Sequence, residues 1–405
     1  MRNVLFVAPF PGMTSTHRFA RALASLPGVR LLGVVQQPLR GPAARTYDDV
    51  EVVRSCLDPA QVLAACEALR RRHGPLHRIT GILENVQVQL AMVRHHYGMP
   101  GGDVAAAQRF RDKGDMKEAL RRAGIPCAAH ARLRSAADAW AFVERVGFPI
   151  ILKPPAGAGC RATYQVNGAA ELSRALAESR PGPHREVLAE EFLSGREYSF
   201  ETLCVKGEPR FYSVSRYLPG PLEVTRTPWM QWVCLLPRDV EGPAFDGVRE
   251  VGFAAVKRLG MHSGMTHMEW FRRPDGRVAV GEIAMRPPGA QFVSLMSYAY
   301  DHDMYRAWAR AAVDDAFDGP LQRKWAVSIA YLRGQGQGRV AVIDGVKKAQ
   351  QEVGSLVVEA RLPTVGAPRS SSYEGDGYVI LRHADTDTVA AATKRLIETV
   401  RVHYR

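Results

Sequence analysis

Apolar residues near the start of the chain fall into two alternating rhythms. Residues 4–8 and 31–35 are continuous apolar runs, the pattern of strands buried on both faces. Residues 16–26 and 59–72 repeat at helical spacing instead, and 78–83 is a further strand ending at Glu84. Strand–helix alternation of this kind predicts an open parallel sheet over residues 1–105.

From residue 106 to 147 the pattern is helical, clearest over 115–123 and 135–146, with Ser135 and Asp138 as a cap pattern. A strand over 150–153 leads into a Pro/Gly/Ala loop and a second strand over 163–166; Asn167 is expected to cap a helix over 169–178. After the break at Pro181-Gly182-Pro183 come strands over 187–193 and 197–205, a turn at Lys206-Gly207-Glu208 and a strand over 210–217. Helices are expected over 245–259 and 297–313, and a smaller α/β piece follows from 319. Its last segment, 385–402, sets Val389, Ala392, Leu396 and Val400 on one helical face. The divisions fall at 1–105, 106–185, 186–318 and 319–405.

The stretch 265–289 says most about chemistry. Two apolar-rich strands flank Pro274-Asp275-Gly276, and each carries one carboxylate, Glu269 and Glu282. A two-residue loop at Asp275-Gly276 would face Pro274 with Arg277 and Glu269 with Glu282. Directly paired residues have Cβ atoms about 4.5–5.5 Å apart, so two carboxylates there repel. A divalent cation removes that penalty, and Mg²⁺ suits carboxylates and water. A type I turn closed by a bulge at Gly276 would slip the register and part the faces. Alone, two glutamates on a hairpin are ordinary surface charges; the rest of the chain changes that reading.

The 405 residues carry 46% apolar and 23% charged side chains, an ordinary globular composition of two to three domains. No run of 18 apolar residues occurs, so no membrane span is expected. Cysteines 56, 66, 127, 160, 204 and 234 form no CxxC or His–Cys cluster, which argues against zinc and a disulfide framework and for a reducing cytoplasm. The net charge of +13 is dispersed, with no basic block longer than Arg70-Arg71-Arg72 and no aromatic–basic pattern. Anionic small molecules are therefore favoured over nucleic acid. Gly12 follows the first strand without a G-x-G-x-x-G, so no NAD site is expected.

Lys153 closes an apolar strand ahead of Pro154-Pro155-Ala156-Gly157-Ala158-Gly159-Cys160, a loop whose backbone N–H groups and nearby lysine suit an anion. This is not a Walker P-loop. Residues 187–199 set Glu190, Glu191 and Glu197 around an apolar run, a pattern that suits an adenine slot and a ribose diol.

Five motifs in order between Arg109 and Gly289 resemble the ATP-grasp superfamily, most closely its carboxylate–amine ligase branch with the L-amino-acid ligases. The resemblance implies an α/β chain with an α+β ATP-grasp core. It would comprise a Rossmann-like domain before the core, a small subdomain with lysines and glycine lid, a large subdomain with the hairpin, and a C-terminal α/β subdomain. It implies that Lys113 and Lys153 reach the ATP phosphates, with Gly157 and Gly159 in the lid. Glu190, Glu191 and Leu193 would contact adenine, Glu197 the ribose, and Glu269 and Glu282 two Mg²⁺ ions, with Mn²⁺ as an alternative. Arg286 would stabilise the transferring phosphoryl group, making Arg286, Glu282 and Lys153 the catalytic set. Ala284 replaces the usual metal-binding Asn, and Cys160 and Ala162 replace the lid's Ser and Gly.

The implied reaction is ATP-dependent joining of a small carboxylate to an amine, both expected to be amino acids, through an acylphosphate. His267, Arg216 and Gly289 are the candidate substrate contacts, His267 because it shares a strand face with Glu269. Dimerisation is common among such relatives. Two alternatives stand beside this one: a carboxylase-type ATP-grasp ligase, and a degenerate nucleotide-binding regulator.

Overall fold

The apolar runs at the N-terminus become the centre of a parallel sheet, ordered Asp49–Val52, Val29–Val35, Arg2–Ala8, Leu76–Thr80. The computed structural model describes residues 1–157 and 162–405. Both faces of this sheet are covered, which is why its strands are apolar throughout. Val4, Phe6 and Leu31 pack into one core, and Leu5, Val7 and Leu32 into another.

A second, antiparallel sheet has the order His130–Leu133, Val187–Glu191, Ile150–Lys153, Tyr164–Val166. Helices Ala136–Val146 and Ala169–Ser179 bury their apolar faces against it. Ser135 caps the first by accepting from the Asp138 amide at 3.2 Å. At the second helix the expected roles are inverted. Gly168 is the N-cap, and Glu171 reaches back to accept from the Asn167 amide and side chain, both at 2.9 Å.

The largest sheet runs Val278–Ala284, Gly264–Arg272, Arg196–Val205, Glu208–Leu218, Trp232–Leu236, Ala326–Leu332, Gly377–His383, Val357–Arg361. Three strands from beyond residue 319 thus extend this sheet, while Val340–Asp344 and Arg401–Tyr404 pair separately. The helix expected over 297–313 is two helices, Phe292–Tyr300 and Met304–Asp314. Asp301 takes a left-handed φ of 48°, and Asp303 caps the second helix by accepting from the Tyr305 and Arg306 amides at 3.0 Å.

Alternation along the middle strands divides polar from apolar. Tyr198, Phe200, Met268 and Trp270 enter the core, where the rings of Tyr198 and Trp270 stack at 4.5 Å. Their neighbours Ser199, Glu201, His267 and Glu269 share the other face, which floors a large cleft. No helix among the described residues is long and apolar enough to cross a membrane.

Candidate functional site

The hairpin pairs Glu269 with Glu282, by a route different from the expected one. Arg273 N–H donates to Arg277 O, and Gly276 N–H to Arg273 O, both at 2.9 Å. The loop is therefore the three residues 274–276, with Gly276 at φ +81°. The ladder then runs Arg272↔Val278, Phe271↔Ala279, Trp270↔Val280, which heads Glu269 toward Gly281. A second irregularity at that point skips Gly281 and restores Glu269↔Glu282. Two one-residue slips cancel. A Cβ at Gly281 would lie 3.0 Å from the Phe271 ring and 3.3 Å from Glu269 O, so the bulge has room for little else.

Strand Ile150–Lys153 and helix Lys113–Arg122 bring the lysines to this pair. Lys113 Nζ lies 3.0 Å from Glu282 Oε1 and donates to Gly157 O at 2.9 Å. Lys153 Nζ lies 2.9 Å from Glu190 Oε2. Glu190 had suggested an adenine contact, but its carboxylate is occupied by lysines. Its other oxygen lies 3.5 Å from Lys117, which donates to Gly281 O at 2.7 Å. The carbonyl released by the bulge is thus satisfied by a fully buried ammonium. Lys117 is absent from the sequence reading, although it sits one helical turn beyond Lys113. Glu84 was placed only as a strand end. It is 8% exposed and joins Arg111 at 2.7 Å and Arg286 at 3.5 Å.

Burial raises all four carboxyls, and their neighbours decide the outcome. Lys113 and Lys153 overcome it at Glu282, which is held down to about 2. At Glu190, Lys117 and Lys153 likewise hold the carboxyl below its ordinary range. At Glu197 and Glu269 the neighbouring cations, Lys153 at both and Arg286 at Glu269, compensate burial only in part. Burial and mutual repulsion push Glu197 well up, and burial with Glu282 raises Glu269, whose Oε1 lies 3.9 Å from the His267 ring Nε2. Two under-compensated carboxylates beside Glu282 fit a divalent cation, which Glu269 and Glu282 could hold. Among the described residues no three His, Cys, Asp or Glu side chains already form a metal cluster, and Lys113 occupies Glu282 instead.

The raised Glu197 gives a pH prediction with a definite sign. A carboxyl raised in the fold contributes stability below its unfolded value of about 4.3 and loses it as pH rises. Without nucleotide, Glu197→Gln should melt above the wild type at pH 7–8, with the gap closing near pH 4. Equal midpoints by differential scanning fluorimetry across that range would refute the assignment.

The other expected residues divide. Ile151, Leu193 and Phe271 give the cleft an apolar wall, and Glu191 lies 3.4 Å from Arg273. His267 lies on the carboxylate face, its Nδ1 2.9 Å from buried Glu201 and its ladder partner Ala284, the position of the missing Asn. Gly289 lines the cleft, and its carbonyl accepts from Phe292 N–H at 3.0 Å. Arg216 borders the cleft but pairs with Tyr198 and Leu235, away from the carboxylate face, with Nε unpartnered. Gly159 and Cys160 lie outside the described residues.

Residues 112–204, which hold both expected phosphate lysines, Glu190 and Glu197, match the family described as carbamoyl-phosphate synthase L chain, ATP binding domain. The chain is similar to the ATP-grasp ligases in this segment and in its fold. Its ATP-grasp fold superposes on an L-amino acid ligase from Bacillus licheniformis with a TM-score of 0.80 at 17% identity, covering 100% of this chain and 99% of that one. By sequence it is 25% identical over 240 residues to an L-arginine-specific L-amino acid ligase of Bacillus subtilis, covering 58% of this chain and 57% of that protein. It is 27% identical over 203 residues to a D-alanine–D-alanine ligase of Frankia casuarinae, covering 47% and 52%. The matches thus span about half the length of these two ligases.

Proposed function

We propose that this protein is an ATP-dependent carboxylate–amine ligase that forms an amide or peptide bond through an acylphosphate. The observation that carries this is the Lys113–Glu282, Lys153–Glu190 and Glu197–Glu269 constellation on one cleft, with Arg286 at its edge. A purely regulatory nucleotide binder has no need of both the phosphate lysines and a further arginine beside the paired carboxylates. The cleft is about 1930 Å³, against roughly 300–1,000 Å³ for a single small-ligand site, so nucleotide and two substrates have space together.

In this reading the acid's carboxylate oxygen attacks the γ-phosphorus of ATP, the bond to the β-phosphate oxygen breaks, and ADP leaves. The neutral amine then attacks the acyl carbon, the C–O bond to phosphate breaks, and inorganic phosphate and a proton are released. Lys113 and Lys153 would bind the phosphates, and Arg286 would neutralise charge on the moving phosphoryl group. Glu269 and Glu282 would hold Mg²⁺, which supplies charge neutralisation for the phosphate oxygens. Glu197 would accept from the ribose hydroxyls, and the apolar wall at Leu193 and Phe271 would hold adenine. Glu190 positions Lys153 and Lys117. The units 1–105, 106–185, 186–318 and 319–405 are our proposed division of labour, with strand Val187–Glu191 counted with the small sheet.

The test is release of ADP and phosphate with ATP and Mg²⁺ across paired amino acids and other small carboxylates and amines. Release that requires both an acid and an amine, with hydroxylamine trapping a hydroxamate from the acid alone, is the expected result. Nucleotide binding without release on any pair, and no hydroxamate, would reject the ligase in favour of a regulatory binder.

A further inference from the structure

The cleft continues beyond the carboxylates to a wall made by Trp232 and Leu235 of strand Trp232–Leu236, by Arg333 and by residues 371–374 of the loop before Gly377–His383. Two polar groups there are left without partners. Trp232 is 2% exposed, and its Nε1 is buried with no acceptor. Glu374 borders the same cleft, and its carboxylate has no hydrogen bond or ion pair among the described residues.

The neighbouring cations are already spent. Arg333 donates to Val224 O at 3.0 Å and Met230 O at 2.8 Å, and Arg369 to Pro228 O at 2.9 Å. Burial alone pushes the Glu374 carboxyl up, with no cation opposing it. The residue before Glu374, Tyr373, packs on Trp232, which sets Glu374 beside an aromatic floor. That floor is tightly built. Trp232 stacks on Tyr331 at 5.1 Å, meets Tyr373 edge-on at 4.9 Å and lies 5.5 Å from Tyr217.

We propose that Glu374, with the Trp232 aromatic cluster, is a subsite for a cationic nitrogen group, ammonium or guanidinium, on one of the two substrates. A half-buried carboxylate without a partner is costly. A substrate that brings a cation to Glu374 relieves that cost. Tyr373 and Tyr217, which line the same cleft, favour the same ligand, since aromatic quadrupoles attract cations. The cation comes either from a basic side chain or from the α-ammonium of an amino acid. This assignment rests on the ligase reading for its substrates but not for its binding test.

The experiment is calorimetry on the full chain with Mg²⁺ and ADP, titrating L-arginine, its neutral isostere L-citrulline, and L-alanine. Glu374→Gln should weaken arginine by about tenfold to a hundredfold, the range expected for a hydrogen bond to a charged group. Citrulline and alanine unchanged in that variant would assign the subsite to the side-chain cation; an equal loss for all three would assign it to the α-ammonium. Glu374→Asp, which keeps the charge, should retain more affinity than Glu374→Gln. Glu374→Gln removes an uncompensated charge and should fold with a melting midpoint at or above wild type. Identical behaviour of Glu374→Gln and wild type toward all three, including no binding by either, overturns the proposal. Glu374-dependent binding without phosphate release keeps the subsite and rejects the ligase. Turnover on neutral pairs, with arginine binding indifferent to Glu374, does the reverse.

Discussion

Glu282→Gln is expected to lower ATP-dependent phosphate release by about 10²–10³-fold, the loss typical when one electrostatic contact to a transition state is removed. The side chain keeps its size, and the ladder pairing with Glu269 needs only backbone, so the fold should persist. One charge is removed and two neighbours feel it. Glu269 is relieved of Glu282's repulsion, and Lys113, 8% exposed at its side chain, loses the carboxylate at 3.0 Å. Among the described residues Lys113 then keeps the Gly157 carbonyl until phosphate arrives. Stopped assays with the substrate pair found for the wild type, alongside circular dichroism, check both halves. Turnover within tenfold of wild type would remove Glu282 from the reaction. Lost circular dichroism would make it structural instead.

Lys117→Met should cost stability rather than binding contacts, by about 3–5 kcal/mol, the range for removing one member of a buried pair. Burial lowers the Lys117 ammonium from its ordinary range despite the opposing pull of Glu190. The ammonium holds Glu190 from one side and the Gly281 carbonyl from the other, and Met supplies neither donor. Urea unfolding measures the loss. Lys117→Met/Glu190→Gln should regain part of it, because the carboxylate facing Lys117's place is then neutral, but not all, because Lys153 loses its partner at 2.9 Å. A single-variant loss below about 1 kcal/mol would show that the pair contributes nothing net.

The sequence reading was strongest where structure depends on neighbours along the chain. The strand over 150–153 and the cap at Ser135 are local patterns, and both are observed. The long helix over 297–313 failed for an equally local reason that periodicity does not register: Asp301 adopts a left-handed conformation and Asp303 starts a new helix. The Glu269–Glu282 pairing was reached with the wrong loop, because the slip at Gly276 and the slip at Gly281 cancel. No counting rule supplies the second without the three-dimensional course of the strand.

Residues whose partners lie far away were harder to find. Glu201 looks like one residue of an apolar strand until His267 arrives from 66 positions on, and Glu84 until Arg286 arrives from 202. Lys117 had a usable signal, its helical spacing from Lys113, but its carbonyl partner exists only because a bulge frees it. The strands beyond 319 read as a separate piece because a sheet edge is invisible in sequence; they join strand Trp232–Leu236 through the ladder to Ala326–Leu332.

The mutual pairing of lysines and glutamates has a consequence for which molecules the idle protein admits. The surplus of positive charge over the whole chain is not concentrated at Lys113 and Lys153, since each already has a carboxylate within about 3 Å. A lone anion such as orthophosphate must strip a lysine from its glutamate and leave that glutamate facing its neighbours bare. A lone metal ion faces the converse obstacle. Only a ligand that delivers polyanion and cation together satisfies both halves of the exchange, so the resting site acts as a coincidence filter. Electrostatic steering should then contribute little to nucleotide capture, and its rate should vary only weakly with ionic strength.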